Sequence, residues 1–224
     1  CMGTSAGDIN QDGFLDIFLA DSEQNALLLG SESGFADAAL AWGLPGYPEH
    51  HMAWGSSLID LENDGLPDIL VSIGDFYQAN PEPGSTEFYQ QTTTASLALS
   101  QNFVEGELGR GVVITDMNED QIPDVILGFA TRTPRMFLSS GCSTQNWFSV
   151  EAPQGTTVVL TTETQKIARM VSSESGWGSS GPEQAWFGLG AQTQIDQIEI
   201  YAPGGIYSTR KQPISTRQTL VWSP

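Results

Sequence analysis

A nine-residue acidic pattern occurs three times in the chain, at residues 8–16, 60–68 and 116–124. In its first copy, DINQDGFLD, oxygen-bearing side chains stand at positions 1, 3, 5 and 9, and a glycine stands at position 6. A single acidic turn of this kind forms readily without a metal, so one match carries little information. Three copies spaced roughly 50 residues apart indicate a repeated supersecondary unit of the propeller or solenoid type.

The pattern supplies the ligands that Ca²⁺ prefers, because this hard cation takes about six to eight oxygen atoms from carboxylates, amides and backbone carbonyls. Position 7 would contribute its backbone carbonyl. We name the three copies loop 1, loop 2 and loop 3. The candidate Ca²⁺ ligands are Asp8, Asn10, Asp12, Phe14 and Asp16 in loop 1, Asp60, Glu62, Asp64, Leu66 and Asp68 in loop 2, and Asp116, Asn118, Asp120, Ile122 and Asp124 in loop 3.

The three loops differ at positions 3 and 6. Glu62 stands where loop 1 has the shorter Asn10, which makes the third ligand of loop 2 less certain. Gln121 stands where Gly13 permits a left-handed turn, and such a turn costs about 1 kcal/mol without glycine. We therefore expect loop 1 to be the best-preserved metal site.

An EF-hand does not explain the loops, since it needs a glutamate at the twelfth loop position and a helix on each side. The twelfth positions here are Leu19, Val71 and Leu127. Each loop runs instead into a short apolar, β-rich segment, at residues 14–19, 69–73 and 125–129. These segments predict strands, so each ion would hold together a strand-loop-strand unit.

The three repeats predict three propeller blades in residues 1–143, each with about four strands. Further strands are predicted at residues 26–29, 35–40, 97–99 and 135–138, and the polar residues 77–94 are expected to form a surface loop. Known propellers need roughly four to eight blades to close. We therefore expect additional blades from upstream sequence or from another chain. A stable open arc is the alternative.

The acidic pattern does not recur after loop 3, and the remaining sequence predicts a different architecture. Short strands separated by Gly, Pro and Ser turns are predicted at residues 147–150, 156–161, 167–171, 185–189, 195–201 and 219–222. They favour a small β-sandwich over residues 144–224. The predicted fold is all-β, a partial β-propeller of three blades with calcium-binding loops followed by a small β-sandwich.

Two motifs resemble known families. The segment QAWFGLG at residues 184–190, followed by IDQIEIYAPGG at residues 195–205, resembles the signature of the ASPIC/UnbV domain. That signature reads F-G-L-G and then a strand ending in W-P-x-G, whereas this chain has Tyr201-Ala202-Pro203. The acidic loops resemble FG-GAP or VCBS repeats, which occur in integrin α-chain propellers and bacterial secreted proteins. The resemblance, similar in order to cartilage-acidic-protein-1-like proteins, implies an architecture and no defined activity.

Composition restricts the partners and the compartment. The chain has 27 Asp and Glu residues against 8 Lys and Arg residues, giving a formal net charge of −19. This charge repels nucleic acid and anionic lipid and attracts cations. No apolar stretch reaches the roughly 18 residues of a membrane span. Because extracellular modules bind Ca²⁺ at about 10⁻⁴ to 10⁻³ M, we expect a secreted or extracellular protein, or one of the bacterial periplasm and cell surface.

Other candidate residues give weaker signals. Cys1 and Cys142 leave three states open, namely a disulfide, free thiols or a lipidated Cys1. His50 and His51 are the only histidines, and adjacent strand residues point in opposite directions, so a shared catalytic or metal site is disfavoured. Trp177, between two glycines, is the best candidate for an exposed aromatic that stacks on a sugar.

These patterns together predict a calcium-stabilised extracellular binding or assembly module that contacts a protein or a glycan. One alternative is a structural subunit of a larger cell-surface complex. Another is an enzyme with a propeller active site. The pattern G-x-S-x-G occurs once, at residues 3–7, but it runs into the acidic loop 1 and not into a helix, so no nucleophile elbow accompanies the histidines. We therefore expect that the protein is not an enzyme.

Overall fold

The computed structural model describes residues 2–44, 46–47, 51–75, 84–139, 144–172 and 178–224. Within these ranges every regular element is a β-strand, and no helix is long and apolar enough to cross a membrane. The predictions for Cys1, His50, Cys142 and Trp177 fall outside the described residues, as do residues 77–83 of the predicted surface loop.

The first blade is an antiparallel meander of four strands. Strands β1 to β4 span Gly3–Gly7, Asp16–Ala20, Ala26–Ser31 and Gly34–Asp37. Side chains in β1 and β2 alternate between buried and half-buried, which is the period of a strand with one face against a core. Loop 1 connects β1 to β2, as the sequence predicts.

The second blade also has four strands. Strands β5 to β8 span His51–Ile59, Asp68–Asp75, Gly84–Thr93 and Ser96–Glu107. The expectation of a surface loop was wrong for residues 84–93, because this polar segment forms β7. Two of its buried polar groups have partners, since the Thr86 hydroxyl lies 3.2 Å from the Ser72 hydroxyl and Nε2 of Gln91 donates to the Ile9 carbonyl at 3.0 Å.

The third blade contains three strands in the described part of the chain. Strands β9 to β11 span Gly109–Thr115, Asp124–Phe129 and Arg135–Phe137, in the order β11-β10-β9. Loop 2 connects β5 to β6 and loop 3 connects β9 to β10. Because all three loops join the first and second strands of their blades, they lie at equivalent ends of the blades.

The blades stack face to face on two hydrophobic cores. Every residue of β6 is buried, because the second blade lies between the other two. Ile69, Val71 and Ile73 of β6 share a core with Phe18 and Leu27 of the first blade. Leu70 points the other way and packs with residues of blades 2 and 3, namely Phe88, Val104, Val112, Val125 and Leu127.

The rest of the chain forms a small sandwich. Strands β12 to β20 span Asn146–Glu151, Thr157–Thr161, Lys166–Met170, Gln184–Gly190, Gln194–Ile195, Gln197–Ala202, Ile206–Arg210, Ile214–Ser215 and Gln218–Val221. One layer has the strand order β18-β17-β13-β14, and the other has the order β15-β12-β20. Their shared core contains Phe148, Leu160, Phe187 and Ile198.

The sandwich and the first blade share one sheet, which the sequence did not predict. Gly7 of β1 pairs with Arg169 of β14, and the Asp8 N–H donates to the Ala168 carbonyl at 3.1 Å. This pairing extends the four strands of the first blade into an eight-stranded sheet. The terminal layer therefore begins at the edge of the strand that leads into loop 1.

Candidate metal centre

The first aspartate of each loop organises the turn around its carboxylate. In loop 1, Asp8 accepts from the backbone N–H groups of Asp12 and Gly13, both at 3.0 Å. The same two positions donate to the first aspartate of the other loops, from Asp64 and Gly65 to Asp60 at 3.0 and 2.7 Å and from Asp120 and Gln121 to Asp116 at 3.2 and 2.8 Å. The three loops therefore share one backbone conformation.

The last aspartate of each loop ties the loop to an outer strand or segment of its blade. Oδ1 of Asp16 accepts from the Gly30 N–H at 2.8 Å. The equivalent bonds, also 2.8 Å long, run from Gln91 to Asp68 and from Ser139 to Asp124. These three donors lie 14, 23 and 15 residues after the aspartates that they contact, and no sequence motif predicts them.

Two positions of each loop adopt left-handed backbone. At position 6 the φ angles are 90° for Gly13, 98° for Gly65 and 71° for Gln121. The strain predicted at Gln121 is therefore present, because a side chain in this region clashes with its own backbone. Position 4 is left-handed as well, which the acidic pattern did not predict, with φ of 60° at Gln11, 57° at Asn63 and 60° at Glu119.

Loop 2 departs from the other two loops at the second oxygen of its last aspartate. In loops 1 and 3 this Oδ2 accepts a backbone N–H at 2.8 Å, from Ile9 to Asp16 and from Met117 to Asp124. In loop 2 the Oδ2 of Asp68 is buried without a hydrogen-bond partner. A buried carboxylate oxygen without a partner is costly, so this atom requires a proton or a cation.

Loop 2 is also where three carboxylates converge. Oxygen atoms of Asp60, Glu62 and Asp68 all lie within 4.8 Å of one another, and this is the one such group among the described residues. Asp60 and Asp68 are buried, whereas Glu62 is exposed. The longer Glu62, which made the third ligand of loop 2 uncertain from sequence, thus reaches the cluster.

Burial raises the pKa values of the aspartates in this cluster. The pKa of Asp68 rises from an ordinary 3.8 to about 9, mainly because the group is buried. The Gln91 N–H opposes the shift, whereas the charges of Glu62 and Asp60 and a hydrogen bond that the protonated carboxyl makes with Glu62 add to it. Burial and the neighbouring Asp64 raise the pKa of Asp60 to about 7. Burial also raises the pKa of Asp16 to about 6. A bound divalent cation would favour the ionised forms instead.

Arg169 of β14 brings a positive charge to the same place. Its Nη1 donates to the Asp8 carbonyl at 2.9 Å and to the Ala168 carbonyl at 3.0 Å. Burial lowers the pKa of this guanidinium, and the carboxylates of Asp8, Asp60 and Asp16 oppose the shift. No motif marks Arg169 in the sequence, and the one signal of its role is a charged residue inside the apolar predicted strand at residues 167–171.

Strand β15 lies directly against loop 2. The Gly190 N–H donates to the Asn63 carbonyl at 2.9 Å, and the Trp186 indole N–H donates to Asn63 Oδ1 at 2.7 Å. A Cβ atom at Gly188 would overlap the Asp60 carboxylate and lie 2.7 Å from the Asn63 Cα. Only glycine therefore allows this close approach between the sandwich and the acidic loop.

Two family models match the chain at the positions that these contacts join. The model of the FG-GAP-like repeat matches residues 8–71, and the model of the ASPIC and UnbV domain matches residues 146–223. The chain is an FG-GAP repeat protein with an ASPIC/UnbV domain. The predicted resemblance and the all-β fold class are thereby confirmed. A search of curated proteins finds no match for the chain.

The ASPIC/UnbV signature has a structural reason in this FG-GAP repeat protein. Phe187 and Leu189 of the F-G-L-G segment point into the sandwich core, where both are buried. The two glycines face loop 2, since a Cβ atom at Gly190 would lie 2.9 Å from the Asp64 carbonyl oxygen. The F-G-L-G motif therefore has two roles. Its apolar side chains pack the core of the sandwich, and its glycines allow the sandwich to lie close to loop 2.

The donor set of loop 2 fits a hard divalent cation. Asp60, Glu62 and Asp68 would hold the ion through carboxylate oxygens, which suit Ca²⁺. In loops 1 and 3 the candidate carboxylates are hydrogen-bonded to the loop backbone, and their ligand role stays a prediction. The position 7 residues Phe14, Leu66 and Ile122 each donate an N–H to the position 5 aspartate, at 2.9, 2.8 and 3.0 Å.

Gln121→Gly is expected to stabilise the protein. Glycine removes the strain of a left-handed backbone at loop 3, which is about 1 kcal/mol, less the entropy that glycine adds to the unfolded chain. The free energy of unfolding in urea measures the change. The reverse exchange in loop 1, Gly13→Gln, is the matched control and should destabilise by a similar amount. Equal stabilities of all three proteins would contradict the assignment of strain.

Gly188→Ala is expected to destabilise the protein by about 2 kcal/mol, because a methyl group forces β15 away from loop 2. Gly128→Ala is the control, since a Cβ atom there meets its neighbours at an ordinary 3.5 Å or more. Urea unfolding gives the stabilities of both variants. If Gly188→Ala costs no more than Gly128→Ala, loop 2 does not require the close approach.

Calcium-free protein is expected to lose stability as the pH rises from 5 to 8. The folded protein keeps protons on Asp60 and Asp68 that the unfolded chain has released above pH 4, so deprotonation favours unfolding. The loss should reach roughly 1 kcal/mol per pH unit for Asp68 alone. Melting curves in chelator at several pH values measure it. Calcium should reduce the loss, and a flat profile in chelator would contradict the burial argument.

Proposed function

We propose that this protein is a calcium-stabilised extracellular module for binding or assembly, and that it contacts a protein or a glycan. The observation that carries the proposal is the buried Oδ2 atom of Asp68, which has no hydrogen-bond partner. This atom belongs to the cluster that Asp68 forms with Asp60 and Glu62. A calcium ion would supply the missing positive charge. The two matched families support a repeat-based extracellular binding or structural module.

Calcium would act mainly on stability. Net charge of −19 opposes the compact state, and the loops place several carboxylates next to one another. An ion that binds only the folded protein adds about 1.4 kcal/mol per site when its free concentration is ten times the dissociation constant. Such a requirement suits a calcium-rich setting, which is the basis for proposing a secreted protein or one of the bacterial periplasm and cell surface.

The position of His51, the histidine that lies within the described residues, favours a binding role over an enzymatic one. His51 begins β5, and loop 2 begins after the other end of that strand, so the imidazole and the acidic cluster lie apart. A histidine and a carboxylate must lie within hydrogen-bond reach to act as a catalytic pair. The proposal therefore assigns no catalytic residues to the chain.

A structural subunit is the second candidate, and the outer face of the third blade favours it. Val113, Ile126 and Met136 stand side by side across the three strands, and Met136 is 50% exposed. The inner face of this blade packs on blade 2 through a similar apolar row. A further blade, from upstream sequence or from another chain, would cover the outer row in the same manner.

Calcium is expected to raise the melting temperature by several degrees, because each occupied site adds stability by mass action and about 1 kcal/mol shifts a chain of this size by about 2–4 °C. Asp68→Asn should reduce this shift, since it removes a charged ligand of loop 2. The asparagine keeps the acceptor for the Gln91 N–H, so the calcium-free variant should be at least as stable as the parent.

Asp196→Asn is the matched control, because Asp196 is an exposed aspartate of the sandwich and lies outside the loops. Melting curves with calcium and with chelator compare the three proteins. The same calcium shift in Asp68→Asn as in the parent would remove loop 2 from the proposal. No shift in the parent would overturn the structural role of calcium.

A further inference from the structure

Two exposed tyrosines stand side by side on the outer layer of the ASPIC/UnbV sandwich. Tyr201 of β17 and Tyr207 of β18 are directly opposite in the strand register. Their ring centroids lie 5.0 Å apart with an interplanar angle of 41°. Tyr201 is 45% exposed and Tyr207 is 51% exposed, so nearly half of each side chain faces solvent.

A single carboxylate fixes both phenol groups. The hydroxyls of Tyr201 and Tyr207 each donate to Oε1 of Glu199 at 3.1 Å. The other oxygen, Oε2, lies 4.0 Å from the ammonium group of Lys166 on β14. All four side chains come from strands of one sheet, so their backbone positions are rigid. The rings are thus held in a fixed orientation before any ligand arrives.

This arrangement combines an apolar surface with both kinds of hydrogen-bonding group. The tyrosine rings offer faces for C–H groups, Glu199 accepts hydrogen bonds and Lys166 donates them. A sugar ring has the matching chemistry, because its C–H groups form an apolar face and its hydroxyls donate and accept at the rim. Aromatic residues that are rigid and partly exposed also lose little conformational entropy when they bind.

Charge decides between a neutral sugar and an ionic ligand. The charges of the Glu199 carboxylate and the Lys166 ammonium group sum to zero, so the cluster as a whole attracts a cation weakly, and the ammonium group repels one. An anionic polysaccharide would be repelled by a protein of net charge −19, and Lys166 is the one cationic side chain among the four of this cluster. A neutral ligand meets neither obstacle.

We propose that Tyr201, Tyr207, Glu199 and Lys166 form a binding site for a neutral oligosaccharide on the outer face of the sandwich. The site deepens the proposed binding function and rests on it for its biological setting. It lies next to loop 1, because the Lys166 side chain passes within 3.7 Å of the position of a Cβ atom at Gly13. The site differs from the sugar-stacking residue expected from sequence, Trp177.

The test is a titration of the intact chain with soluble tetrasaccharides, followed by saturation-transfer and ¹H–¹⁵N NMR. Cellotetraose, chitotetraose, maltotetraose and mannotetraose are the neutral probes, and heptalysine and tetragalacturonate are the ionic ones. At least one neutral probe is expected to bind at millimolar concentration and to shift the backbone signals of β17 and β18. Calcium is present throughout the NMR titrations.

Variants separate stacking from a general surface effect. Tyr201→Ala and Tyr207→Ala should each weaken binding by about tenfold, whereas Tyr201→Phe and Tyr207→Phe keep the ring and should bind within a few fold of the parent. Phe35→Ala is the control, since Phe35 is an aromatic of the first blade that is 58% exposed. Melting curves check that each variant is folded.

Three results would overturn the site. They are no binding of any neutral tetrasaccharide, sugar binding that survives both alanine variants, and a tyrosine-dependent preference for heptalysine or tetragalacturonate. The melting temperature with calcium and with chelator is recorded on the same samples. If calcium stabilises the protein but no sugar binds, the saccharide site is wrong and the proposed calcium-stabilised function is not contradicted.

Discussion

Buried carboxylates at the loop ends are the constraint on which the rest of the molecule depends. Asp8, Asp60 and Asp68 hold the loop turns and tie them to outer strands, yet each must lose water to do so. Backbone N–H groups and the guanidinium of Arg169 offset part of that cost. Loop 2 is left with one oxygen atom that has no partner. At this oxygen the folded protein must keep a proton or bind a cation.

The same constraint explains why the ASPIC/UnbV domain does not stand apart from the repeats. Its strand β14 delivers Arg169 to the loop carboxylates, and its strand β15 carries glycines against loop 2. An ion in loop 2 would therefore act at the contact between the two regions. Loop 3 has no comparable cover from the described part of the sandwich, and residues 117–121 are exposed.

Local patterns were enough to predict the loops, the strands that follow them and a terminal region of different architecture. They failed where the information is not local. The β7 segment is polar, and its strand character comes from buried partners such as Ser72 and Ile9. Strand β18 is mostly exposed and gives no apolar alternation. The reach of Glu62 toward Asp68 depends on side-chain conformation, which the spacing of residues does not specify.

The pairing of β1 with β14 has a consequence for how the chain must fold. The bond from the Ala168 N–H to the Asp8 carboxylate joins residues 160 positions apart. Contacts of such separation are slow to form, because a long loop must close before they stabilise anything. During synthesis, the first blade emerges long before its neighbouring strand does. Strand β1 and the Asp8 carboxylate therefore lack their partners on β14 until the sandwich sequence has left the ribosome.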